Sequence, residues 1–186
     1  MSAFEYVFVL VSLVIGLAIT EILAGFARLL GEGGRIRAYW VQVLQLTFIL
    51  LFAVGIWWTG WQLHDRVAWS LPTLLLFMVG PTVVYLAAHL AFPEGLAGED
   101  LERFYYTVAP RVYLLLFVGL IWGLLARVML LGGRMMEPQT VSISAAAILL
   151  VWLASTKKHT AHAAGVIALL VILAASMSLD NVVIAG

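Results

Sequence analysis

FEYVFVLVSLVIGLAITEILAGFARLL, residues Phe4 to Leu30, carries ionisable groups at Glu5, Glu21 and Arg28 and is otherwise almost entirely apolar. Crossing ~30 Å of hydrocarbon takes about 20 residues of helix, so this run is long enough to span a bilayer. Glu21 stands well inside it. A charged side chain at the centre of a span costs roughly 2.5–3.5 kcal/mol on insertion scales, so such a residue faces the bundle interior, where a partner or water reaches it. The rest of the chain is expected to supply that company.

Composition widens the same conclusion. The 186 residues are 64% hydrophobic and 11% charged, where soluble domains run ~45–50% and ~25%. Apolar runs of spanning length recur with short connections, leaving no room for a soluble domain. The net charge of zero is scattered, with no basic footprint for nucleic acid. Without cysteine, disulfides, thiolate catalysis and cysteine-ligated metals are excluded. The N-terminus lacks a basic n-region and a small-residue cleavage site, so the first helix is expected to be retained.

Outward from Leu30, the first helix is expected to end at Gly31, Gly33 and Gly34, among Arg28, Arg35 and Arg37. Helix two runs from about Ala38 to Leu63 and closes in WWTGW. Helix three covers about Leu71 to Phe92, with Pro72 in its first turn, Pro81 a mid-span kink and Pro93 a stop. Gly98, Glu99 and Asp100 read as an acidic helix start. Helix four then continues to about Leu131, with a bend at Pro110 and with Arg111 just beyond. GGRMMEP connects to helix five, Gln139 to Ser155, whose alanines and serines favour close packing. Lys157, Lys158, His159 and His162 read as a basic turn before helix six, Ala163 to Leu179. The expected fold is all-α, one transmembrane bundle of about six spans over residues 1–186 with both termini on one side.

Basic residues divide unevenly between the two sides. Arg28, Arg35, Arg37, Arg103, Arg111, Lys157 and Lys158 gather on one, against Arg66, Arg127 and Arg134 on the other. The positive-inside rule makes the first side cytoplasmic and the termini external.

Three polar groups share the cytoplasmic half: Glu21, His89 and Arg111. A Glu21–Arg111 pair, with His89 able to titrate near neutral pH, would form part of an ion or proton path. The structural alternative has Arg111 reaching the headgroups, Glu21 paired with Arg28, and His89 bonded to a carbonyl. Glu21, Gly25 and Arg28 share a helical stripe on which the glycine admits a neighbouring backbone. At the outer end, Trp57, Trp58, Trp61 and Trp69 read as an interfacial belt. The alternative there is a stacking wall for a quinone, a carotenoid or a similar flat ligand, with His64 and Asp65 as polar contacts. Ser12, Gly16 and Thr20 recur at every fourth position, which favours packing within the bundle or a dimer seam. No pair of histidines is placed to ligate haem at equal depth, and no HExxH is present. No metal site or enzyme activity is expected.

Two resemblances add to this. SLDNVVIAG, the last residues of the chain, resembles the DN-containing transmembrane motif of TerC-type metal exporters, which implies Asp180 and Asn181 as metal candidates; a polar end to helix six is the preferred reading of them. SLVIGLAITEIL, WWTGW, AAHLAFP and DLERFYY together resemble an uncharacterised family of small bacterial multi-pass membrane proteins, a likeness running to about Arg111. It implies the bacterial inner membrane and no particular activity. The leading functional expectation is a small ion or proton conductor or transporter working through Glu21, His89 and Arg111. The alternative is a non-catalytic module that binds an apolar cofactor, a lipid or a partner membrane subunit through Trp57, Trp58, Trp61, His64 and Trp69. The expected partners are the bilayer and a further copy or a partner subunit.

Overall fold

The computed structural model describes residues 2–31, 38–65, 68–93, 95, 100–131 and 138–178. Among them there is no strand; the elements are α1 Ala3–Gly31, α2 Trp40–Thr59 with a 3-10 turn Gly60–Leu63, α3 Leu71–Leu90, α4 Leu101–Leu131, α5 Pro138–Ser155 and α6 His159–Ser178. Five of the six helices are long and apolar enough to cross a membrane, and the apolar part of α5 is shorter. The protein is therefore an all-α, multi-pass membrane bundle.

Local chemistry sets the helix starts. Ser2 and Glu5 form a capping box on α1, each backbone N–H donating to the other's side chain, at 2.9 and 3.1 Å. The Ser70 hydroxyl accepts from Thr73 N–H at the head of α3, and Pro72 sits where no intrahelical donor is needed. The Asp100 carboxylate accepts from Glu102 and Arg103 N–H and starts α4. α6 begins at His159 rather than Ala163, so His159 and His162 lie in its first turn instead of in a loop. α4 runs unbroken through Pro110. The expectations for Gly33, Gly34, Arg35, Arg37, Arg66, Gly98, Glu99, Arg134, Asp180 and Asn181 fall outside the described residues.

Ring contacts fix the up-and-down order. Phe4 near the start of α1 meets Trp61 after α2, and the Arg28 guanidinium near the end of α1 lies 5.0 Å over Phe92 after α3. Tyr39 and Trp40 at the head of α2 meet His159 at the head of α6. One end of the bundle, the tryptophan end, thus carries the start of α1 and the end of α6. The other is the histidine end. α1 packs on α2 and α3, and α5 packs on α4 and α6.

The core includes Val11, Ala18, Ile22, Leu46, Ile49, Leu116, Leu150, Leu153 and Leu169, all essentially inaccessible. Outward faces are also apolar, with Leu13, Leu75, Leu114, Ile148 and Val171 exposed, the pattern of a surface whose solvent is lipid. Gly25 admits a close neighbour, but a side chain in place of the expected backbone: a Cβ there would stand 2.7 Å from the Phe92 ring. Gly165 likewise lies against Leu153, bringing α5 onto α6. The stripe Ser12, Gly16, Thr20 is not the bundle seam. Nothing lies within 4 Å of a Cβ built on Gly16, and α1 packs instead through Val7, Val11, Ile15, Ala18, Ile22 and Gly25, a face rotated from that stripe.

Candidate functional site

At the histidine end, Glu21 and His89 meet. Packing of Phe92 over Gly25 sets the register of α1 against α3, and that register brings His89 Nδ1 to 3.0 Å from Glu21 Oε1. Their side chains are 52% and 31% exposed respectively, so the pair lies in the α1–α3 seam and is open on one side. The Tyr85 ring stacks on His89. The expected Glu21–Arg111 pair is not formed. Arg111 is exposed on α4, and α1 packs on α2 and α3, so the two charges lie on different faces of the bundle. The structural alternative is also amended, because His89 bonds the Glu21 carboxylate in place of a carbonyl and the Arg28 guanidinium stacks on Phe92.

The tryptophan end does not form one stacking wall. Trp57 turns to α1, its Nε1–H donating to Ser12 Oγ at 3.0 Å. Trp61 stacks on His64 at 4.7 Å, and His64 Nε2 lies 3.1 Å from the Asp65 carboxylate. Trp69 packs edge-on to Phe77. Trp58 alone of the four lines a cavity of about 420 Å³ bounded by α2, α3, α4, α5 and α6. Phe52, Ile56, Phe77, Leu120, Ile143 and Leu173 form its depth, while Gln62, Arg127, Gln139 and Ser176 belong to the last or first turns around its mouth. Gly80 and Gly123 also line it, and a Cβ on either would meet nothing within 4 Å. Glycine in a helix interior costs about 1 kcal/mol relative to alanine. At these two positions that cost is not offset by close packing, and its effect is to keep the space open.

A third polar group was missed from the sequence. His162 is 1% exposed in the core of the histidine end. Its Nε2–H donates to the Thr156 carbonyl at 2.9 Å, because a carbonyl can only accept. In the neutral ring Nδ1 then accepts from the Tyr105 hydroxyl at 2.8 Å, and Tyr113 donates to Tyr105 at 2.7 Å. Tyr39 and Tyr106 form a second hydroxyl pair beside them at 3.0 Å. Burial, followed by that bond, pushes the Tyr39 phenol far above the ordinary tyrosine range and keeps it protonated. Gln42 donates to the Ala91 carbonyl at 2.9 Å, whereas the Gln45 amide, 1% exposed, makes no hydrogen bond of ordinary geometry and meets only the Tyr113 hydroxyl. The available signal was periodicity: Tyr105 and Tyr113 are two turns apart on one face of α4, and Gln42 and Gln45 interrupt an apolar helix.

The chain ends of this network limit its chemistry. The Thr156 carbonyl only accepts a hydrogen bond, so the Tyr113–Tyr105–His162 series ties α4 to α6 and to the turn that precedes it. No group of three or more His, Asp or Glu able to hold a metal ion occurs among the described residues. Compared with family models, curated proteins and solved structures, the chain matches none.

Proposed function

We propose that the protein is a membrane-embedded binding module that holds one apolar or amphiphilic molecule in the cavity at its tryptophan end. It resides in the bacterial cytoplasmic membrane with its more basic end inward. The observation that supports this is the 420 Å³ space itself, which falls among ligand pockets of ~300–1,000 Å³ and is kept clear by Gly80 and Gly123. Apolar walls under a polar mouth suit a ligand that lies along the bilayer normal. Native mass spectrometry of gently solubilised protein tests it. One stoichiometric ligand is expected on the native chain and none on Gly123→Phe, whose ring fills the space. A ligand-free native chain overturns the reading.

The Glu21–His89 contact favours a second reading, conduction of a proton or small ion along the α1–α3 seam. Proton flux into liposomes, lost in Glu21→Gln with folding intact, supports it. Equal flux in both proteins removes it.

A further inference from the structure

We propose that the cavity ligand is a long-chain fatty acid, its carboxylate held by Arg127 and its chain directed between Phe77 and Leu120. This rests on the reading of the cavity as a ligand site and adds the chemistry of the occupant.

Three observations point to it. Arg127 is the one charged residue on the described cavity wall. It lies near the end of α4, level with the neutral polar groups Gln62, Gln139 and Ser176 that complete the mouth. Its planar guanidinium matches a carboxylate with two parallel N–H donors. The walls become apolar about one to three turns deeper, on α2 at Ile56 and Phe52, on α3 at Phe77 and on α6 at Leu173. Head and chain therefore have separate places in the right order. Three of the four tryptophans that would clasp a flat neutral ligand are turned elsewhere, Trp57 on Ser12, Trp61 on His64 and Trp69 on Phe77, which leaves Trp58 as the tryptophan on the wall.

The membrane setting makes the head decisive. A hydrocarbon chain moving from lipid into an apolar cavity gains little, because both surroundings are equally apolar. Selection must then come from the charged end. The volume, at the lower side of the ligand-pocket range, suits one chain and one head.

Photolabelling in nanodiscs of zwitterionic phosphatidylcholine tests this, with a diazirine-bearing long-chain fatty acid compared with the alcohol of the same chain. The acid is expected to label residues of the cavity wall about tenfold more than the alcohol, the value of one charge-assisted hydrogen bond. Arg127→Gln should bring the acid down to the level of the alcohol. Gly123→Phe should abolish labelling by both, with Gly80→Leu, from the α3 wall, as a second filled variant if the first does not fold. Equal labelling by acid and alcohol, still blocked by the filled variants, overturns the fatty-acid assignment and leaves the ligand site standing. Labelling that survives the filled variants overturns both. Displacement of the acid by equimolar phosphatidylglycerol overturns the single-chain assignment in favour of an anionic phospholipid.

Discussion

Two buried residues in the core of the histidine end respond to substitution in opposite directions. Tyr105 receives one hydroxyl bond and gives another, to Tyr113 and His162 respectively. Tyr105→Phe leaves both neighbours short of a partner in the core, which costs about 1–3 kcal/mol. A lower melting temperature in detergent is the expected readout. Gln45 presents the reverse case, since its amide makes no hydrogen bond of ordinary geometry and only a weaker contact with the Tyr113 hydroxyl. Gln45→Met keeps the volume, removes the unsatisfied groups, and is expected to raise the melting temperature, by up to about 1–3 kcal/mol of stability. A drop would mean that the amide serves an interaction beyond the side chains around it. Neither residue was legible as a site. A tyrosine near a helix end reads as an interfacial anchor, and only the reach of His162 from α6 to Tyr105 on α4 ties these hydroxyls into the core.

Among the elements, α1 and α3 illustrate what hydropathy does and does not convey. The runs of apolar residues gave six helices with limits close to those found, because crossing lipid requires unbroken backbone hydrogen bonding and little else. Hydropathy places the start of helix six a turn late because His159 and His162 count as polar, although His162 is buried and bonded to Tyr105 and Thr156. Glu21 and His89 were each legible as polar residues in apolar surroundings. Their pairing was not, because it depends on the register of one helix against another, and that is set by the missing side chain of Gly25. Gly25→Val drives new atoms into the Phe92 ring and is expected to destabilise by roughly 1–3 kcal/mol through overpacking. Gly16→Ala, with nothing within 4 Å, should gain up to about 1 kcal/mol from helix propensity. Thermal melts of the two variants in one detergent make the comparison, and similar behaviour would refute the seam described for α1.

For the whole molecule, the up-and-down order places Ser2 and Ser178 at one end and Lys157 at the other. Since the chain has no cysteine, single substitutions Ser2→Cys, Ser178→Cys and Lys157→Cys report their side directly. A membrane-impermeant maleimide applied to intact cells should label the first two and spare the third if the basic end is cytoplasmic. The reverse pattern would invert the protein in the membrane. The cavity was not legible at this scale, since nothing in the sequence distinguishes Gly80 and Gly123 from other helix glycines, and only the assembled bundle leaves them facing open space. The lengths of two outer helices carry a last consequence. α1 has 29 residues and α5 has 18, or about 44 Å against about 27 Å at 1.5 Å per residue, and they sit on different flanks of the bundle. Lipid beside α1 therefore meets a longer helix than lipid beside α5, whose shortfall is partly covered by the 31-residue α4 packed on it. The bilayer has to thin locally only along the exposed face of α5, or the bundle tilts to even the difference.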